Sequence, residues 1–76
     1  RNSGAVPRTT ANETLEILNK NLNKTLSIGY ADNNGGVSHR IIDAQQIAKG
    51  VLLARDHSTG ELQTFKIIRI TGVAPL

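Results

Sequence analysis

Three cations and one tyrosine are the residues of this chain whose types and spacing best fit the binding of a ligand. Arg40, Lys66, Arg69 and Tyr30 all lie in segments where apolar and polar residues alternate. An arginine guanidinium donates two parallel hydrogen bonds to a phosphate or a carboxylate, and a lysine ammonium adds a point charge. If these segments are neighbouring strands, the cations converge on one face. The sequence therefore predicts a basic surface that binds an anion.

Two further side chains, His39 and Arg55, lie beside these candidates and could belong to the same surface. His39 falls on the opposite side of an ideal strand from Arg40, so we expect it to contribute only if a bulge reorients it. The chain also holds carboxylates that could neutralise the cations: Asp32, Asp43, Asp56 and Glu61. The sequence leaves open whether the cations bind a ligand, pair with these acids or are solvated.

The residue spacing does not support catalysis by a serine triad or by a metal. Residues 38–43 and 56–58 each contain serine, histidine and aspartate. Groups this close in sequence rarely form a triad, and no nucleophile elbow accompanies them. The two histidines show no HxxxH spacing, and the chain has no cysteine. We expect a protein that is not itself an enzyme and has neither a metal nor a cofactor.

Length and composition describe one small domain with a mild positive charge. Nine Lys and Arg against six Asp and Glu give a net charge of +3, which suits a polyanionic partner without requiring one. The lack of cysteine fits a reducing compartment, and no apolar run approaches the ~18 residues of a membrane span. We therefore expect a cytoplasmic protein without a membrane partner. A chain that starts at Arg1 and contains no methionine suggests a piece of a longer protein.

A helix is predicted over residues 10–22. Thr10-Ala11-Asn12-Glu13 matches a capping box, in which the threonine hydroxyl and the glutamate carboxylate satisfy the first amides of a helix. The apolar stripe at helical spacing consists of Leu15, Leu18 and Leu22. Residues 1–9 have little to bury and are interrupted by glycine and proline, so we expect a flexible tether there. A single domain over residues 10–76 follows.

About five short strands are predicted after the helix. They lie near residues 25–30, 37–43, 51–55, 61–68 and 70–74, with glycine-containing turns or irregular segments between them. This order predicts a mainly β fold with one N-terminal helix, a small Sm-like antiparallel barrel. Imperfect alternation predicts a bulge or bend at residues 40–42 and 65–68. The expected core comprises Ile28, Ile41, Leu52, Phe65 and Ile67, with Phe65 the most buried aromatic residue.

The order of these segments resembles the WYL-type domain of bacterial regulators and helicases. IGY, a glycine turn, GGVSHRII, GVLLARD and ELQTFKIIRI follow one another over residues 25–74 as the elements of that family do. The positions that match the family's motifs hold Tyr30, Ser38, Arg40, Phe65, Arg69 and Ile70. The segment SGAVPRTTANETLEILNKNL, with DHSTG later, is also similar to the carboxyl end of actinobacterial helicases of the XPB-like, superfamily-two kind.

The resemblance implies a small barrel that senses a ligand or binds nucleic acid, often single-stranded DNA, through a basic face that includes Arg40. Three departures from the family's pattern bear on binding. The triplet that names the family aligns with Gly50-Val51-Leu52, so two aromatic residues that could stack on bases, at roughly 1–3 kcal/mol per base, are missing. Gln63 stands where the family has an arginine, and Ile68 where an acidic residue is common. Binding by this domain alone is therefore expected to be modest.

The leading hypothesis is an accessory module of a larger DNA helicase or related protein that contacts single-stranded DNA or a nucleotide-like ligand. Two alternatives stay open. One is a structural domain that docks on the helicase domains of its parent chain, and the other is the small-ligand sensor domain of a transcription regulator. A module or a sensor predicts that Arg40, Lys66 and Arg69 cluster on an exposed concave face. A docking domain predicts that these cations pair with local carboxylates and that an apolar patch is exposed.

Overall fold

The chain folds into a five-stranded antiparallel sheet preceded by one helix. The computed structural model describes residues 6–76. Its elements are α1 (Ala11–Lys20), β1 (Thr25–Ala31), β2 (Val37–Ala48), β3 (Val51–Asp56), β4 (Glu61–Lys66), a 3-10 helix (Ile67–Arg69) and β5 (Ile70–Pro75). The strands pair in the order β4-β3-β2-β1-β5 and form a barrel-like sheet with β4 and β5 at its edges. The predicted mainly β fold with an N-terminal helix is confirmed.

The capping box predicted at the start of α1 is present. The Glu13 N–H donates to the Thr10 hydroxyl at 3.1 Å, and the Thr10 N–H donates to the Glu13 carboxylate at 2.9 Å. The helix ends at Lys20, two residues earlier than predicted. The reason is that Asn23 adopts a left-handed conformation (φ 68°), and its N–H bonds to the carbonyl of Ala44 instead of to the helix.

The buried stripe of α1 differs from the predicted row of leucines. Leu18 is fully buried, but Leu22 is half-buried and Leu15 is exposed. Thr14, one helical turn before Leu18, takes the other buried position. A threonine is tolerated there because its hydroxyl forms a 2.7 Å hydrogen bond with the hydroxyl of Thr9. The helix contacts β5 and the 3-10 helix.

Strand β2 is longer than the sequence suggested. The segment after Asp43, expected to be irregular, continues the strand to Ala48 and then turns through Lys49 and Gly50. Both turn residues have positive φ (53° and 75°), which is the conformation that a two-residue type I′ hairpin requires. The bulge lies between Ala44 and Gln46 and not at residues 40–42.

The core lies on one face of the sheet. The buried apolar residues are Leu18, Leu26, Ile28, Ile42, Ala44, Leu52, Ala54, Phe65, Ile67, Ile70 and Val73. Phe65 is 2% exposed while Tyr30 is half-buried, so Phe65 is the most buried aromatic residue as predicted. The prediction was wrong for Ile41, which is half-buried. Pairing of Leu26 with Ile42 places Ile42, and not Ile41, on the core face.

The predicted break before the fifth strand is a 3-10 helix at Ile67–Arg69. Lys66 is the last residue of β4, and Arg69 is the last residue of the 3-10 helix. Arg69 therefore lies between two strands, in the break that the predicted strand bounds left there. The short helix turns the chain from one edge of the sheet to the other, because β4 and β5 are at opposite ends of the strand order.

The segment before α1 packs against β5. The Thr9 N–H donates to the carbonyl of Thr71 at 3.1 Å, and Val6 is half-buried. A Cβ added to Gly72 would overlap the Pro7 carbonyl oxygen, so the two backbones are in direct contact. Of the tether expected over residues 1–9, residues 6–9 thus contact β5, and residues 1–5 lie outside the described part of the chain.

Candidate anion-binding cleft

Four residues from separate elements line a cleft of about 260 Å³ at the end of β1. Tyr30 comes from β1, Asn33 from the β1–β2 turn, Lys66 from the end of β4 and Arg69 from the 3-10 helix. The sheet order explains why distant positions meet, because the 3-10 helix carries the chain from β4 back to the strand beside β1. Three of the residues predicted for a basic surface are therefore brought together here.

Tyr30 holds β4 against β1 at this cleft. Its hydroxyl accepts a hydrogen bond from the backbone N–H of Lys66 at 3.0 Å. Its ring meets Phe65 edge-on, with centroids 5.2 Å apart and an interplanar angle of 82°. One side of the tyrosine thus belongs to the core packing, while the residue as a whole lines the cleft. These contacts fix the position from which Lys66 leaves β4.

The two cations of the cleft have no acidic partner in the described part of the chain. Neither Lys66 nor Arg69 lies within salt-bridge distance of a carboxylate among residues 6–76. Arg69 donates one hydrogen bond, from Nη1 to the carbonyl of Ala31 at 3.3 Å. A guanidinium has five N–H donors, so this contact orients the group and leaves donors for an anion. The cleft therefore combines two uncompensated positive charges with neutral polar groups.

Arg40 lies outside this cleft and is paired with an acid. Its Nη1 lies 2.6 Å from a carboxylate oxygen of Asp56, and the guanidinium lies 6.0 Å from the centroid of the Phe65 ring. The Asp56 side chain is fully buried, whereas that of Arg40 is 30% exposed. Arg40 stands opposite Ile28 in the β1–β2 ladder, on the core face of the sheet. Among the predicted site residues, Arg40 is thus the one that the fold uses to neutralise a buried charge.

Asp56 is ionised although it is buried. Burial alone would raise the pKa of this carboxyl group. Hydrogen bonds from the side chain and the backbone N–H of Ser58, at 2.7 and 2.9 Å, oppose that effect, as does the hydrogen bond and charge of Arg40. The net result is a pKa below the ordinary value for aspartate. The carboxylate thus links Arg40 of β2 to Ser58 of the β3–β4 turn and has a structural role.

Ser38 connects the Arg40 pair to the turn beside the cleft. Its hydroxyl accepts a hydrogen bond from Arg40 Nε at 3.3 Å. The same hydroxyl lies 3.4 Å from both the Tyr30 carbonyl and the Asp32 carboxylate, to either of which it can donate. Ser38 therefore does not line the cleft but supports the turn that carries Asn33.

His39 and Arg55 are not brought to the cleft. His39 stands opposite Gly29 in the ladder, and its Nε2 is hydrogen-bonded to the hydroxyl of Ser27 on the face away from the core. The expectation that His39 and Arg40 occupy opposite faces is thus met. Arg55 is exposed and donates to the carbonyl of Gly60 at 2.8 Å, which closes the β3–β4 turn.

A second polar cluster lies away from the cleft and was not anticipated. The Asp43 carboxylate accepts a hydrogen bond from the Thr25 hydroxyl at 2.6 Å and contacts His57 Nε2 at 2.9 Å. These hydrogen bonds lower the pKa of Asp43, the one from Thr25 having the largest effect. The cluster joins β1, β2 and the β3–β4 turn. No group of three histidine, cysteine or acidic side chains within reach of one metal ion occurs among residues 6–76.

Sequence reasoning missed Asn33 in the cleft. This residue lies in a run of turn-forming residues, where asparagine is usually explained by backbone conformation alone. Its place in the cleft lining with Tyr30, Lys66 and Arg69 follows from the turn and could not be deduced from spacing. The amide adds both a hydrogen-bond donor and an acceptor to the site.

Neither the protein-family models nor the curated proteins with which the chain was compared give a match. Within residues 6–76, no helix has the length and apolar character that a membrane crossing by a helix demands.

Proposed function

We propose that this chain is a non-enzymatic module that binds single-stranded nucleic acid through the cleft of Tyr30, Asn33, Lys66 and Arg69. The observation that carries the proposal is the meeting of two cations without an acidic partner in one concave site among the described residues. Phosphate is the anion that such a pair suits, because an arginine fork and a lysine charge bind its oxygens together.

The resemblance to WYL-type domains supports a role within a larger protein. In this proposal the chain is an accessory domain of a bacterial, cytoplasmic DNA helicase, and its partners are single-stranded DNA and the helicase domains of the same protein. Two phosphate contacts and no stacking pair of aromatic residues imply modest affinity. The module would then add a weak contact to a nucleic acid strand that the rest of the larger protein binds more tightly.

Docking on the parent protein is the second candidate, and two observations favour it. Arg40 pairs with Asp56, as a docking domain predicts, and Val37 and Ile68 are apolar side chains with high exposure.

A ligand sensor would use the same cleft for a free nucleotide. Titration with a mononucleotide separates that case, because a strand-binding module gains affinity with length and a sensor does not.

The proposal is tested by titrating a fluorescent single-stranded oligonucleotide at several salt concentrations. Two phosphate contacts predict a log–log slope of about −1.4, from roughly −0.7 per phosphate on a single strand. Lys66→Ala and Arg69→Ala should each weaken binding and reduce the magnitude of the slope by about 0.7. Lys20→Ala is the matched control, because Lys20 is an exposed cation on α1 that pairs with Glu16. It should leave the slope unchanged.

Binding that ignores salt, or equal effects of Lys20→Ala and the two cleft variants, would contradict the proposal. In the first case the cleft does not contact phosphates. In the second, only the net charge of the protein matters, and no defined site exists.

A further inference from the structure

Ile68 is the most exposed of the large apolar residues of the described chain, and it lies between the two cations of the cleft. Its relative exposure is 91%. The residue before it, Ile67, is buried, and the residue after it, Arg69, lines the cleft. A 3-10 helix has three residues per turn, so consecutive side chains leave it about 120° apart. Ile67 is therefore directed to the core, Ile68 to solvent and Arg69 to the cleft.

The cleft and Ile68, which adjoins it in the chain, together offer three kinds of contact. Lys66 and Arg69 supply positive charge, the Asn33 amide supplies a donor and an acceptor, and Ile68 supplies an exposed apolar surface. Consecutive Cα atoms are about 3.8 Å apart, so the backbone of Ile68 directly adjoins that of Arg69, a cleft residue. A ligand that uses all three must carry an anionic group close to a flat apolar surface with a polar edge.

We infer that this site binds a single nucleotide whose base is unpaired, with its phosphate in the cleft at Lys66 and Arg69 and its base at the mouth of the cleft, against the exposed Ile68. The base edge then faces the Asn33 amide, since the carboxamide can both donate to and accept from a nucleobase. Apolar side chains contact base faces in this way when they enter a base step. This inference rests on the proposed function and adds that bases, and not only phosphates, are bound.

An unpaired base is required by this arrangement. In a duplex the base faces are covered by stacking and the Watson–Crick edges are occupied, so Ile68 and Asn33 would have nothing to contact. The site should therefore prefer single strands over duplex DNA at equal phosphate concentration. An anionic membrane is the other partner that suits an apolar residue between cations. The concave cleft and the Asn33 amide instead favour a small ligand with hydrogen-bonding groups at its edge.

The test compares an ordinary single-stranded oligonucleotide with an abasic one that has the same number of phosphates. The wild-type protein should bind the abasic strand about fivefold more weakly, at the low end of base-stacking contributions because no aromatic ring takes part. Ile68→Ser should weaken binding of the ordinary strand by about the same factor and leave binding of the abasic strand unchanged. The salt slope should not change, since no phosphate contact is removed.

Leu62→Ser is the matched control. Leu62 is an exposed apolar residue of β4 (46%) that does not line the cleft, and the same substitution there should affect neither oligonucleotide. Equal binding of ordinary and abasic strands, or no effect of Ile68→Ser, would overturn the inference while Lys66→Ala and Arg69→Ala still support phosphate binding. Loss of binding to phosphatidylserine vesicles in Ile68→Ser, without any change for oligonucleotides, would also overturn it and assign Ile68 to a membrane. If the cleft variants have no effect either, the proposed function itself has failed.

Discussion

The two arginines at the positions that resemble the WYL motifs have opposite surroundings. Arg40 contacts a fully buried carboxylate on the core face, whereas Arg69 makes one hydrogen bond to a carbonyl and lines a cleft. Residue type and spacing could not separate them, because Asp56 lies 16 positions from Arg40 and reaches it only through the pairing of β2 with β3. The role of each arginine is set by its partner and not by its motif.

This difference predicts that alanine substitution lowers stability strongly at Arg40 and little at Arg69. Arg40→Ala should lower the free energy of unfolding by about 2–3 kcal/mol, less than for a fully buried pair because the Arg40 side chain is partly exposed. Arg69→Ala should change it by less than about 0.5 kcal/mol, as expected for a surface substitution. Urea denaturation of the two variants measures both values. Equal stabilities would show that the Arg40–Asp56 pair does not hold the sheet together.

The lowered pKa of Asp56 makes part of the stability depend on pH. A carboxyl group whose pKa is lower in the folded than in the unfolded state stabilises the fold above the unfolded value, about 3.9, and loses this contribution as pH falls through the folded pKa. Asp56→Asn should therefore be less stable than the wild type by an amount that is constant above about pH 5 and shrinks below about pH 4. Urea midpoints from pH 2 to 7 measure this difference. A constant difference down to pH 2 would contradict the ionised state of Asp56.

At the scale of elements, patterns among neighbouring residues predicted the structure better than features that depend on the pairing of distant strands. The capping box at Thr10 and the period-two pattern of β1 predict an element from a few neighbouring residues, and both are present. The choice between Ile41 and Ile42 as the core residue depends on strand register, because a shift of one residue exchanges the faces of a strand. The Lys49–Gly50 turn was missed since lysine rarely adopts positive φ, and only the paired strands on both sides impose it.

The segment before α1 provides a prediction about element packing. A Cβ at Gly72 would overlap the Pro7 carbonyl oxygen, so Gly72→Ala should push residues 6–9 off β5. We expect a loss of about 1–3 kcal/mol, as for other overpacked sites, and faster hydrogen exchange of the Thr9 amide, which donates to Thr71. Gly36→Ala is the control, because its Cβ would meet only ordinary contacts at 3.5 Å. Unchanged exchange at Thr9 in Gly72→Ala would show that this segment is not held by β5.

At the scale of the whole molecule, the sheet order brings the cleft together. The end of β4 and the start of β5 flank the 3-10 helix, and β5 pairs with β1, so Lys66 and Arg69 come to lie beside Tyr30. The sequence predicted that these three residues share a surface, and it predicted the fold class. It could not show that Arg40 is excluded or that Asn33 is included, because both depend on the path of the β1–β2 hairpin. Two of the nine Lys and Arg residues, Lys66 and Arg69, line the cleft.

The central claim is that a nucleic acid strand contacts this cleft and the adjoining Ile68, and not the opposite face of the sheet. The most direct measurement is the change in backbone amide shifts of the ¹⁵N-labelled protein during titration with a single-stranded oligonucleotide. We expect the largest changes to cluster at the cleft residues Tyr30, Asn33, Lys66 and Arg69 and at the adjoining Ile68. The shifts of amides on the opposite face, such as those of Ser27 and His39, should not change. Changes that cluster on the opposite face, or no changes at oligonucleotide concentrations in the millimolar range typical of very weak binding, would contradict it.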